Sequence, residues 1–246
     1  MPSDDFLHQQ QKYFNEVASH QKDDGFFCEN NATKTEYNAI LSLMPDLKDK
    51  TVLDMGCGTG RYALRIAKYA RQVIGIDISD KSINFANQTA KNYNVNNFTG
   101  IVFDHNLHLQ ENYFDYILMV NVIHHVDDID SMLDNLYRSL KPDGSLIIFE
   151  FNPLNLLFVP FLVIIGQIKS HLNKLYFRSS AFTLRKILKN NNYDVELFKR
   201  YAFFPTMLYN FSIIFEKVNM ALNKIPIINN FSAFHIFKCR KNNTNE

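Results

Sequence analysis

Cysteine is scarce in this chain, and its placement excludes two structural classes. Cys28, Cys57 and Cys239 are widely spaced and odd in number. They offer neither a metal-binding spacing nor a disulfide framework, so no metal site is expected. A basic-then-apolar leader is also missing, since the chain begins Met-Pro-Ser-Asp-Asp. A reducing, cytoplasmic compartment is therefore the expectation. Nor is there a long hydrophobic run. The most apolar segment, Leu154 to Ile165, contains Pro160 and covers only about a dozen residues, against the roughly 20 that a membrane-spanning helix needs. Internal repeats and low-complexity linkers are absent. With 26 Lys+Arg against 25 Asp+Glu, the net charge of +1 argues against nucleic acid as a partner.

The material present suffices for one large α/β domain or one domain with an elaboration: 246 residues, 46% apolar and 21% charged. Its charge is unevenly spread. Residues 1–150 hold 13 Lys+Arg and 21 Asp+Glu, a balance of −8, whereas residues 151–246 hold 13 and 4, a balance of +9. Either the C-terminal part meets something anionic, such as a membrane surface or a phosphorylated substrate, or its basic residues solvate an apolar insertion.

Residues 1–47 read as polar and helical, with Tyr13, Phe14 and Val17 at helical spacing and a loop around Asp23 to Asn31. Thr51-Val-Leu-Asp-Met is a short apolar strand running into a glycine loop, and a helix starts at Tyr62. Further strands are predicted from Gln72 to Ile78, Phe98 to Phe103, Tyr116 to Val120 and Ser145 to Phe151. Between them, a helix from Asp80 to Asn92 has Ile83, Phe85, Ala86 and Ala90 inside. A second helix carries Ile129, Met132, Leu133, Leu136, Tyr137 and Leu140 at helical spacing, with Asp127 or Asp128 as cap and Pro142-Asp-Gly144 as its end. Such alternation predicts a parallel sheet covered on both faces. Later, Phe182 to Leu188 reads as a helix, and Asp194 to Phe203 and Phe234 to Cys239 as strands. Between those strands runs a helical apolar stripe of Met207, Phe211, Ile214, Phe215, Val218 and Leu222.

The informative feature is Asp54 followed by Gly56-Cys57-Gly58-Thr59-Gly60 at the end of a strand. Glycines let the backbone turn sharply and approach a ligand, and strand carboxyl ends are where open parallel sheets bind ligands. A dinucleotide fingerprint would place a third glycine at position 61, which is Arg61, and the Gly-Lys-Ser/Thr of a phosphate loop is missing. Asp54 would repel a pyrophosphate but suits the cationic amino-acid end of S-adenosylmethionine. Asp77 ends the second strand and can accept from ribose hydroxyls. Asp104 ends the third and can accept from an adenine amino group, with Phe103 or Ile78 packing on the ring. Three carboxylates at successive strand ends are hard to explain as surface residues.

The segments VLDMGCGTGRY, VIGIDIS, the Asp104 loop, FDYILMVNVIHHV and LKPDGSLIIFE resemble class I S-adenosylmethionine-dependent methyltransferases over roughly residues 35–151. The resemblance is to the broad group that modifies quinones and small molecules. It implies a Rossmann-like, doubly wound seven-stranded sheet whose last hairpin is antiparallel, with an apolar helical insertion in the C-terminal part. It also implies a single domain: an N-terminal helical lid (1–47), a cofactor-binding core (48–151) and an acceptor-binding elaboration with the last two strands (152–246). Asp54 and the Gly56-Cys57-Gly58 and Gly60 loop are implied to hold the methionine part, Asp77 the ribose, and Asp104 with Phe103 and Ile78 the adenine. Asn121 would border the transferred methyl. Beyond residue 151, Glu150-Phe-Asn152-Pro153, Arg200-Tyr-Ala-Phe-Phe204-Pro205, Glu216 and Ile225-Pro226 are similar to methyltransferases encoded with polyprenyl-linked glycan genes.

Methyl transfer needs a general base only where the acceptor loses a proton. His124 and His125 follow the fourth strand and are the candidates; the alternative is that they cap or pack against the next helix. His105 and His108 are weaker ones. Tyr13 and Phe14 either close over the cofactor or belong to the core. The aromatic residues of the C-terminal part are interleaved with Lys169, Lys174, Arg178, Arg185, Lys186, Lys199 and Arg200. They fit a small or lipid-linked hydrophobic acceptor met at an anionic membrane surface, with O-methylation ahead of C- or N-methylation, or else a buried lid and dimer interface. A catalytically silent binding or regulatory subunit is the competing function.

Overall fold

The computed structural model describes residues 4–20, 31–104, 107–155, 176–203, 212–222, 225 and 229–242. Two helices come first, α1 (Asp4–Ser19) and α2 (Asn31–Leu41). The alternating core follows: β1 (Thr51–Met55), α3 (Ala63–Ile66), β2 (Gln72–Asp77), α4 (Asp80–Asn92), β3 (Phe98–Val102), β4 (Phe114–Val120), α5 (Ile129–Ser139) and β5 (Leu140–Phe151). A 3-10 turn (Tyr176–Ser179) leads to α6 (Ala181–Asn190), β6 (Tyr193–Tyr201), α7 (Ile213–Leu222) and β7 (Phe234–Lys241).

Each element follows from local chemistry. All five residues of β1 are buried, as expected of a central parallel strand covered on both faces. Ser79 caps α4 by accepting from the Ser82 N–H, and Asp128, not Asp127, caps α5 by accepting from Ser131 N–H. The α5 stripe buries Ile129, Leu133 and Leu136. Two predicted boundaries move by more than two residues. The helix after the glycine loop is a single turn, and β5 begins at Leu140. There Leu140 pairs with Phe114, and Lys141 to Gly144 form an irregularity before Tyr116 meets Ser145.

The strands form one seven-stranded sheet in the order β3-β2-β1-β4-β5-β7-β6. β1 pairs in parallel with both β2 and β4, so the chain switches direction there and opens a crevice at the strand carboxyl ends. β7 runs antiparallel between β5 and β6, with Glu150 opposite His235 and His235 opposite Arg200. That hairpin places chain segments from both ends of the last hundred residues at the same edge of the crevice. At the opposite end of the sheet, Asp115 accepts from Thr51 N–H and pairs with Lys50 and Lys141 at 3.3 and 2.8 Å. Among the described residues, no helix is long and apolar enough to cross a membrane. The segments 156–175 and 204–211, which carry much of the apolar stretch and stripe noted in the sequence, lie outside the described residues, as does Cys28.

Candidate active site

The glycine loop is built by hydrogen bonds between two strand ends. Gly56 N–H and Cys57 N–H both donate to Ile76 C=O, at 2.7 and 3.0 Å, and Asp77 Oδ2 accepts from Gly58 N–H at 2.8 Å. Gly56 has φ +75°, and a Cβ there would fall 2.4 Å from Val122 Cγ2. Only glycine therefore lets the loop lie against the residues that follow β4. This tight approach brings Asp54, Gly56, Gly58, Asp77 and the Asn121-Val122 corner together at the switch point. Asn121 itself takes a left-handed φ of 54° and donates its N–H to Phe149 C=O. Cys57 turns its thiol inward over Gly75, so only its backbone belongs to the loop.

Asp54 is 1% exposed. One carboxylate interaction is with the Ala63 N–H, while Oδ2 has no hydrogen-bond partner. Burial, opposed by that amide and reinforced by the nearby Asp77 charge, pushes its carboxyl from 3.8 to about 7. An unpartnered buried carboxylate oxygen is costly unless a cationic donor completes it. Asp77 is also raised, mainly by burial, although the Ser79, Gly58 and Ile78 N–H groups oppose the shift. Its two oxygens each accept one of the backbone bonds at 2.8–2.9 Å, which leaves lone pairs for two further donors. Phe103 donates its N–H to Asp77 C=O, and Asp104 follows at the exposed end of β3.

The N-terminal helix docks on the rim of this crevice. Gln11 Nε2 donates to Ile78 C=O at 3.0 Å, Asn15 Nδ2 donates to Asp80 at 2.7 Å, and Ser79 Oγ donates to Asn15 Oδ1 at 2.6 Å. Further along, the Phe14 ring meets His125 edge-on with centroids 5.1 Å apart. α1 thus bridges the loop after β2 and the loop after β4. Of the two aromatic candidates, Phe14 meets His125, and Tyr13 stands against Phe14 and is 37% exposed.

His124 lies at the other wall. Its Nδ1 is 2.9 Å from Glu150 Oε2, while Glu150 Oε1 accepts from the Val122 and Ile123 N–H groups at 2.7 and 2.6 Å. Glu150 is fully buried, so this carboxylate rigidly sets the ring's orientation. Hydrogen bonding at Nδ1 places the proton there and leaves Nε2 as the acceptor. His125 lies tilted against His124, with ring centroids 3.9 Å apart and planes at 45°. His108 is exposed in the loop after β3, and His105 lies outside the described residues. Sequence reasoning singled out the histidines but missed Glu150. Its signal was there: a lone carboxylate inside the apolar strand LIIFEF must find buried partners. Asn152, in the same motif, is structural. Its amide donates to Asn230 C=O and Ser232 C=O and ties the end of β5 to the start of β7.

The comparisons agree with this geometry. Residues 53–148 match a family described as "Methyltransferase domain". A demethylmenaquinone methyltransferase of Tropheryma whipplei is 34% identical over 110 residues, 45% of this chain and 45% of its own length. A ubiquinone/menaquinone biosynthesis C-methyltransferase of Rickettsia typhi is 27% identical over 69% of this chain and 67% of its own. The chain spans about half the length of the first curated relatives it matches. Among solved structures, a geranyl diphosphate C-methyltransferase from Streptomyces coelicolor superposes with a TM-score of 0.69, covering 98% of this chain and 100% of that one. At 14% identity this likeness speaks for the fold. By profile, relatives and strand order, the chain is similar to the class I S-adenosylmethionine-dependent methyltransferases of the UbiE-like group.

Proposed function

We propose that this protein transfers a methyl group from S-adenosylmethionine to a hydrophobic small-molecule acceptor that gives up a proton to His124. The observation that carries the reading is the buried Asp54, whose free Oδ2 sits beside the glycine loop at the switch point. The residues fit the donor. Asp54 suits its ammonium group, Asp77 the two ribose hydroxyls, and Asp104 with Phe103 and Ile78 the adenine. When bound, S-adenosylmethionine supplies a methyl on a cationic sulfur, and that sulfur keeps the C–S electron pair as a neutral thioether. The protein's task is then alignment, exclusion of water and proton removal. α1 docks on the rim of the crevice, and His124, held by Glu150, takes the proton at Nε2.

A base at this place serves a hydroxyl or an activated carbon equally. The relatives named for C-methylation move our preference from oxygen toward carbon. Phe177, Phe182 and Ile214 are exposed, at 52, 82 and 65%, beside a basic C-terminal part. This supports a lipophilic or lipid-linked acceptor approached at an anionic membrane surface. Calorimetric titration with S-adenosylmethionine, S-adenosylhomocysteine and NAD tests the core of the proposal. Micromolar binding of both adenosyl ligands with none of NAD is expected. No binding of either adenosyl ligand to the folded chain would sink it.

A further inference from the structure

A second cluster of unsatisfied polar groups stands one strand away from the His124–Glu150 pair. In the sheet register Glu150, His235 and Arg200 lie directly opposite one another on β5, β7 and β6, which puts their side chains on one face. Glu150 is fully used by His124 and two backbone amides. His235 is the reverse: it is 2% exposed, and neither ring nitrogen has a partner. Burial, followed by the charges of Arg200 and Arg185, drives its pKa down to about 3, so the ring is neutral and carries one unused N–H. Arg200 Nε is likewise buried and unpartnered.

Two guanidinium groups converge beside this ring. The Arg185 guanidinium, from α6, is 4.4 Å from the Phe198 ring centroid and 5.7 Å from that of Phe237, and that of Arg200 is 5.3 Å from Phe198. Phe198 stands 5.7 Å from His235 and 4.7 Å from Phe237. Among the described residues no carboxylate pairs with either arginine. The neighbouring Glu196 is taken by Arg240 and Lys238. Two like charges and two idle buried donors, the His235 N–H and Arg200 Nε–H, held over an apolar floor, are unfavourable alone and are matched by a multiply charged oxyanion.

We propose that Arg185, Arg200 and His235 form a subsite for a phosphate or diphosphate group on the methyl acceptor. The inference rests on the methyltransferase reading and deepens it. Strands are spaced by about 4.8 Å, so Arg200 lies roughly 10 Å across the sheet from Glu150. The acceptor's anionic group is therefore held about that far from the atom presented to His124. Arginine suits this task because its planar fork binds phosphate oxygens in pairs.

The test uses the full chain and inorganic pyrophosphate at constant ionic strength, read by calorimetry, with S-adenosylhomocysteine affinity measured on the same samples. Saturable pyrophosphate binding is expected, weakened about tenfold or more in R185Q and again in R200Q, since each removes a charge-assisted pair. K186Q, on the exposed neighbour, should leave it unchanged. Hexyl phosphate and phosphatidylcholine vesicles carrying phosphatidic acid then separate a soluble phosphorylated acceptor from a lipid headgroup: the source that competes with pyrophosphate is the one used. Wild-type affinity in both arginine variants, or no saturable binding, overturns the proposal. R185Q lies on a helix surface and preserves the test if R200Q fails to fold. Loss of homocysteine-ligand binding in the wild type would instead strike the methyltransferase reading and leave the pyrophosphate result standing.

Discussion

The two walls of the crevice are built in different ways. On the β1–β2 side every functional group comes from a short stretch: Asp54 to Gly60 and Asp77 to Ser79 are stitched together by backbone bonds to Ile76 and Asp77. On the β4–β5–β7–β6 side the groups come from residues 124, 150, 185, 200 and 235, which meet only because an antiparallel hairpin is laid beside β5. In the function proposed above the first wall recognises one unvarying molecule, so it can be local and stereotyped. In the same proposal the second has to suit a particular acceptor, and its parts are drawn from elements that can change independently.

Breaking either wall should leave the other working, and the largest effect is expected at Asp77. Asp77→Ala removes both ribose acceptors and the anchor of Gly58. S-adenosylhomocysteine affinity should fall by about 100-fold or more, at up to about 3 kcal/mol per lost charged hydrogen bond, while pyrophosphate binding persists. Calorimetry with both ligands decides this, and unchanged cofactor affinity would reject the assignment of Asp77. On the opposite wall, Glu150→Gln should lower kcat by about 100-fold, the scale of a mispositioned general base, and leave cofactor affinity near wild type. Because the amide oxygen can keep the Val122 and Ile123 N–H groups only by turning its NH2 donor against the His124 Nδ1–H, the melting temperature should also drop. Single-turnover rates measured well below the variant's melting temperature separate the two effects: loss of stability alone leaves them near wild type, whereas a misoriented His124 lowers them.

A smaller, pH-dependent effect sharpens the contrast. Asp54 has its folded pKa raised from 3.8 to about 7. The stability contributed by its protonated form is therefore complete below pH 3.8 and lost as pH rises through 7. A bound ammonium group prefers the ionised form, so cofactor binding should release a proton and tighten with pH. From pH 6 to 7.5 the ionised fraction rises from about 9% to about 76%, which predicts roughly an eightfold gain in affinity. Titrations in buffers of different ionisation enthalpy measure the proton directly, and Asp54→Asn should flatten the dependence. A flat wild-type profile would show that Asp54 does not meet the cation.

Legibility in the sequence followed the same division. The strand-loop pattern around Asp54 and Asp77, the α4 helix from Asp80 to Asn92 and the α5 stripe were readable because their signals are local: alternating periodicity, caps and glycine spacing. His124 and His125 were readable as candidates, but their roles were not, since nothing near them in the chain announces a carboxylate 26 residues away. Gln11 and Asn15 carried no signal at all; polar residues on an amphipathic helix read as solvated until the loop after β2 is seen to receive them.

What the sequence alone determined is the half proposed to hold the cofactor: the alternation that makes a parallel sheet, the glycines that allow its first turn, and the carboxylates at the strand ends. Each depends on residues within a few positions of one another. Tertiary structure decided which oxygen of Asp54 is left without a partner, which histidine is held by Glu150, and that His235 and two arginines share one face. Those are consequences of strand order and register, and register is set by how the whole hairpin buries its apolar side against β5.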